Sequence, residues 1–174
     1  MNSTANSAAT TTLAKLSHFE PAEFVRRVGP VFEHSPWIAA RVVDRRPFAS
    51  IDALHSAMCG VVREATADEQ LALIRAHPDL VGRAGLTAES RGEQAAAGLT
   101  DLSPDEVALF DRYNREYKTR FGFPFVICAR LNKKDAILSA FPIRLQNSAA
   151  QERAAALEEI YKIARNRLAA LIPE

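Results

Sequence analysis

"SPDEVALFDRYNREYKTRFG", residues 103 to 122, reads as one complete helix with both of its ends written in. Ser103 suits the N-cap, Pro104 suits the first helical position, where its missing N–H costs nothing, and Glu106 completes a capping box three residues on. Gly122 stands where a helix stops. Phe110, Tyr113 and Tyr117 recur at three- and four-residue spacing, so one face is aromatic and the rest is charged.

The same period continues outward from this segment. Helices are expected over 21–33, 36–45, 51–65 with Ser50 as cap, 68–75, 133–141 and 149–171. Pro47 and the His77–Pro78 pair act as breakers, because a residue before proline is pushed out of the α region. The β-branched, period-two alternation of a sheet is missing. The fold class that follows is all-α, a single compact multi-helix domain with short connections. One stretch departs from it: in "FGFPFVICAR", residues 121–130, aromatic and β-branched residues follow a glycine, which predicts a short, buried, extended segment near 123–128.

A chain of 174 residues holds one domain with a real core. With 22 basic against 21 acidic residues the net charge is +1, so no overall field draws it to nucleic acid or to an anionic membrane. A small-molecule partner is the better starting point. No apolar run approaches the roughly 18 residues of a membrane span. Cys59 and Cys128 form no C-x-x-C pair, which speaks against a disulfide framework and for a reducing, cytoplasmic setting. The opening "MNSTANSAATTTLAKLSHFE" has no acid before Glu20 and no arginine before Arg26, and is expected to be a disordered tail over 1–17, leaving 18–174 as the helical domain. The ending "LIPE" is not a peroxisomal signal.

Within the last helix Leu157, Ile160, Ala164, Leu168 and Leu171 form a core-facing stripe. At about 100° per residue Arg167 falls inside that arc, and Arg165 on its edge or beyond. An inward guanidinium needs an anion, supplied either by a protein carboxylate or by a ligand. His77 sits where a helix must end, so it is either a helix-terminal histidine bonding the last carbonyls or a proton-transfer group. Ser90 and Glu93 have S-x-x-E spacing and read equally as a capping box or as site residues. His18, His34 and His55 lack metal-ligand spacing. No zinc, phosphate-loop, dinucleotide or serine-triad motif is present, so no metal site is assigned.

Taken in order, six blocks are more specific than any one: "SPWIA" at 35–39, "RPF" at 46–48, "LIRAHPDL" at 73–80, "LTAESRGEQAAAGL" at 86–99, "FGFPFVICAR" at 121–130 and "RL" at 167–168. Together they resemble the 2-oxo-4-hydroxy-4-carboxy-5-ureidoimidazoline (OHCU) decarboxylases of urate breakdown, from about Phe19 to Ile172. The resemblance implies an all-helical, cofactor-free, commonly dimeric enzyme that forms (S)-allantoin with loss of carbon dioxide. By motif position it implies His77 and Glu93 as catalytic residues and Arg167, Gln94, Ser90 and Pro78 as substrate-binding ones. It further implies that the segment holding Phe123, Phe125 and Ile127 contacts the substrate ring. Two rivals stay open on residues alone: a hydrolase of a related ureido compound, and a noncatalytic helical interaction module.

Overall fold

The computed structural model describes residues 11–82 and 86–173. Nine α-helices lie among them: α1 Leu13–His18, α2 Pro21–Val28, α3 Trp37–Val42, α4 Ile51–Glu64, α5 Ala67–Arg75, α6 Ala88–Ala96, α7 Pro104–Phe121, α8 Lys134–Arg144 and α9 Ala149–Leu171. Three short 3₁₀ turns follow α2, follow α3 and precede α8.

Local chemistry explains most helix starts. Ser103 accepts the backbone N–H of Glu106 while Glu106 reaches back to Ser103, and Thr66 with Glu69 and Ser148 with Gln151 form the same reciprocal boxes on α5 and α9. Gly122 closes α7 in the left-handed region at φ +76°, where a side chain would be strained.

Long α9 packs against α4 and α5 and places Ile160, Ala164 and Leu168 in the core. The aromatic face of α7 meets α8: Phe110 and Tyr117 are edge-on to Phe141, and Tyr113 stacks on it at 5.0 Å. These rings are the large apolar surfaces that hold the second half of the chain together.

Four boundaries differ from expectation, each for a local reason. The 21–33 helix stops at Val28, because Pro30 lacks the N–H that α geometry needs, and a 3₁₀ turn over Gly29–Val31 carries the chain on. The 36–45 helix likewise tightens to 3₁₀ over Val43–Arg45. In α8 the chain passes Pro142 and remains helical to Arg144, since a proline in the last turn forfeits one bond while Leu145 N–H still reaches the Phe141 carbonyl at 2.9 Å. The expected tail over 1–17 is cut short by α1, which is capped by Thr12 and buries Leu16; residues 1–10 of that tail lie outside the described residues.

The stretch after Gly122 leaves the helical pattern, as its sequence predicts, and runs without helix or strand over 124–128, with Cys128 in extended backbone. Side chains satisfy several of its backbone polar groups. Arg144 donates to the Val126 carbonyl at 2.6 Å, and Glu159 accepts the Cys128 N–H at 2.8 Å. Arg144 is itself fixed by buried Glu152, which also takes the Tyr117 hydroxyl and the Asn147 amide. This polar knot sets the wall of the cavity described next.

Candidate active site

Between the end of α5, the inner face of α6, the stretch after Gly122 and α9 lies a narrow cleft of about 30 Å³. His77, Pro78, Ser90, Glu93, Gln94, Phe125, Ile127 and Arg167 all border it. Of the site residues named from sequence, only Phe123 does not: it follows the Gly122 turn, and its ring falls against Tyr117 and Phe121.

His77 is delivered by the helix end that Pro78 enforces. Its Nδ1 lies 3.0 Å from the Leu73 carbonyl, an acceptor only, so Nδ1 carries the proton and Nε2 keeps a lone pair. That Nε2 is buried with no hydrogen-bond partner among the described residues. Burial disfavours the imidazolium and pulls the ring down to about 4, against smaller opposing effects of the Leu73 carbonyl and the Glu33 charge. His77 is therefore a helix-end histidine on one nitrogen and presents an unprotonated lone pair on the other.

The capping-box reading of Ser90 and Glu93 does not hold. Helix α6 begins three residues earlier with Thr87 as N-cap, whose hydroxyl takes the Ser90 N–H at 3.2 Å. Ser90, Glu93 and Gln94 thus fall inside the helix at three- and four-residue spacing and form its buried face. Gln94 fastens the loop after His77: its Oε1 accepts the Val81 N–H at 2.9 Å and its Nε2 donates to the Asp79 carbonyl at 3.3 Å.

Arg167 points inward, as the helical wheel requires, while Arg165 pairs with Asp52 on the surface. Nε and Nη2 of Arg167 grip the two oxygens of Glu93 at 2.8 and 2.9 Å, a planar fork on a carboxylate. Nη2 also donates to Ser90 Oγ at 3.1 Å, and Nη1 meets Glu33 Oε2 at 2.7 Å and the Pro30 carbonyl at 3.4 Å. Four hydrogen bonds and the ion pair with Glu33 thereby hold the guanidinium.

Glu33 has no role in the sequence reading, which left it at the end of a helix. The 3₁₀ turn after α2 instead swings it inward, where it is 1% exposed. Burial pushes its carboxyl up, but the charge and hydrogen bond of Arg167 outweigh burial and hold it below the usual carboxylate range. The signal was available: an inward arginine demands an anion, and the acid between Phe32 and "SPW" sits in an apolar run. Burial opposes the charge on Arg167 as well, and Glu93 and Glu33 more than restore it.

No group of three or more metal-ligating side chains occurs among the described residues. The cleft offers a neutral imidazole base, an ionised carboxylate locked by arginine, and an apolar wall from Phe125, Val126 and Ile163. Such a set binds a small polar ring and moves protons on it.

The OHCU decarboxylase family model matches residues 17–169. Among curated relatives, 2-oxo-4-hydroxy-4-carboxy-5-ureidoimidazoline decarboxylase from Haloferax volcanii is 43% identical over 158 residues, covering 91% of this chain and 94% of its own. The enzyme of that name from Amia calva is 47% identical over 154 residues, 86% of this chain and 88% of its own. Among solved structures, OHCU decarboxylase crystallised in the presence of (S)-allantoin superposes with a TM-score of 0.71 at 25% identity, over 85% of this chain and 99% of that one. An (S)-allantoin synthase gives a TM-score of 0.77 at 30% identity over 93% of this chain, which spans about half, 54%, of that longer one.

Proposed function

The chain belongs to the OHCU decarboxylase family, and from that membership we propose that it converts 2-oxo-4-hydroxy-4-carboxy-5-ureidoimidazoline to (S)-allantoin and carbon dioxide in urate breakdown. One observation carries the reading at the level of chemistry: His77 Nε2, unprotonated and without a hydrogen-bond partner among the described residues, borders the same cleft as a Glu93 carboxylate held rigid by Arg167.

In the substrate one ring carbon bears both hydroxyl and carboxylate, beside a C=N bond. When the bond to carbon dioxide breaks, its electron pair forms C=C to the ureido-bearing carbon, and the C=N pair moves to nitrogen, which takes a proton. The electron sink lies within the substrate, so the reaction asks the protein for positioning and proton management rather than for a cofactor. The resulting enol gives up its hydroxyl proton as the C=O forms, and the ureido-bearing carbon gains one. Net, one proton replaces carbon dioxide.

His77, as the general base, takes the hydroxyl proton on Nε2 and as the conjugate acid stands on one face of the ring; delivery from one face makes one enantiomer. Glu93 accepts a ring N–H and fixes the tautomer. Ser90 and Gln94 hold the ureido edge, Pro78, Phe125 and Ile127 sandwich the ring, and Phe123 anchors that wall to α7. Arg167 works through Glu93 and Ser90, and meets a substrate oxygen by exchanging its longest contact, the 3.4 Å bond to the Pro30 carbonyl. The departing carboxylate then has an apolar wall beside it, surroundings that favour loss of its charge.

The reading extends to a homodimer in a reducing, cytoplasmic compartment. Two buried free cysteines support the compartment, and the exposed apolar Leu131 and Ile143 are candidates for a subunit contact. Sedimentation of the purified chain tests the dimer. No helix among the described residues is long and apolar enough to cross a membrane.

The deciding experiment is circular dichroism during conversion of urate by urate oxidase and 5-hydroxyisourate hydrolase, with and without this protein. Rapid growth of an (S)-allantoin signal only with the protein is expected. A trace identical to the uncatalysed one, from a folded sample, rejects the activity.

A further inference from the structure

The sequence blocks and the expected chemistry leave Glu33 unused, yet it is 1% exposed and contacts two residues that line the cleft, Ser90 and Arg167. Its Oε2 accepts a hydrogen bond from Ser90 Oγ at 3.0 Å and forms an ion pair with Arg167 Nη1 at 2.7 Å. Glu33 comes from a different part of the chain, 57 residues before Ser90.

The Ser90 bond has a directional consequence. An ionised carboxylate only accepts, so the Ser90 hydroxyl must spend its single proton on Glu33. One Ser90 lone pair takes the Arg167 Nη2 proton at 3.1 Å, which leaves the other lone pair as the group's remaining capacity. Ser90 is therefore an acceptor towards anything in the cleft. His77 Nε2 is an acceptor for the reason given above, and Glu93 is one by its charge. The polar groups on this side of the cleft share one polarity.

We infer that Glu33 is a positioning residue that fixes the proton on Ser90 and the plane of Arg167, so that the cleft presents hydrogen-bond acceptors and selects a ring rich in N–H groups. This rests on the decarboxylase reading, whose substrate carries ureido and ring N–H donors. A ligand bearing carbonyls where the ureido N–H groups belong would set lone pair against lone pair, and it is excluded by the same device. Glu33 touches no substrate; it acts through Ser90 and Arg167.

Two conservative variants separate the contact from the charge. Glu33→Gln keeps an amide oxygen where Oε2 lies and removes the charge. Glu33→Asp keeps the charge and retracts the carboxylate by about 1.5 Å, one C–C bond. If the contact positions the site, Gln retains kcat/KM within about threefold of the parent, whereas Asp loses about tenfold or more, the scale expected for a small misplacement near the reacting atoms. In a Ser90→Ala background, where no hydroxyl proton remains to be fixed, the Asp penalty shrinks to about threefold or less. Thermal unfolding of each variant establishes that it is folded.

The parent protein runs in the same circular-dichroism assay. An inert parent rejects the decarboxylase reading before Glu33 is tested. With an active parent, three results each overturn the inference: Asp as active as the parent, Gln as impaired as Asp, or an Asp penalty undiminished by Ser90→Ala. A merely structural Glu33 would move the unfolding temperature and leave the Gln-over-Asp order in kcat/KM absent.

Discussion

Glu93 and Arg167 meet fork to fork, 74 residues apart in sequence, and join α6 to α9 across the floor of the cleft. Both are nearly buried, so the pair is screened little by solvent and its geometry is held by two parallel bonds rather than by charge alone. Glu33 adds a second carboxylate to the same guanidinium, and the three ions carry a net single negative charge. Taking charges out of water costs several kcal/mol per ion, which a purely structural core would avoid by using apolar residues. Their presence beside a neutral histidine is the mark of a site whose polarity matters.

Replacing Arg167 tests that arrangement. Arg167→Met leaves Glu33 and Glu93 facing each other without a cation and should lower stability at neutral pH by about 3 to 5 kcal/mol. Without Arg167, which opposes it, burial raises the Glu33 carboxyl above its unfolded value. A raised carboxyl pKa stabilises below the unfolded value and loses that stability as pH rises, so the deficit should shrink on acidification. Arg167→Lys keeps a charge but not the fork, and should lose at least about tenfold in kcat/KM. Urea unfolding of the Met variant at pH 7 and pH 5 checks the first claim. A deficit that grows on acidification would contradict it.

His77 carries the chemistry proposed, and Asn can still donate to the Leu73 carbonyl from its amide. His77→Asn should therefore fold and lose about a hundredfold or more in turnover, the usual worth of a general acid–base group. Near-parental turnover in the folded variant would remove His77 from the mechanism.

The same residue ties stability to pH. His77 sits at about 4 in the folded chain, below the 6.5 of a free imidazole, because burial disfavours its charged form. Between those values the unfolded chain binds the extra proton, so stability rises with pH through the window and falls as pH drops from about 6.5 towards 4. The change should amount to a few kcal/mol for so buried a ring. Unfolding curves at pH 7, 5.5 and 4.5 should show this slope in the parent and a shallower one in His77→Asn; equal slopes would deny His77 that part of it.

Much of this was legible in the sequence. The capping boxes, the prolines and the 3.6-residue periodicity placed the helices, and the wheel of α9 singled out Arg167 over Arg165. What stayed hidden depended on tertiary partners. Ser90 and Glu93 have the spacing of a helix start, and only Thr87, three residues earlier, turns them into the inner face of α6. Glu33 is one acid among several until the turn at Gly29 and Pro30 aims it at a guanidinium 134 positions later in the chain. Local rules fix where a helix begins, but they do not say which helix will need a counter-ion.

The wall opposite His77 depends on a second buried network, and Glu152 is its centre. This carboxylate is fully buried and takes Arg144 Nε at 2.6 Å, Asn147 Nδ2 at 2.7 Å and the Tyr117 hydroxyl, which burial and that bond push well above the usual phenol range. Arg144 in turn holds the Val126 carbonyl and lies 4.3 Å from the centre of the Phe125 ring. Glu152→Ala leaves a largely buried guanidinium without its partner and should cost about 3 to 5 kcal/mol. Because Phe125 and Val126 border the cleft while Glu152 does not, the variant should also raise KM more than it lowers kcat. Thermal unfolding and steady-state kinetics on the same preparation check both. A destabilised variant with an unchanged KM would mean that the stretch after Gly122 keeps its place by packing alone.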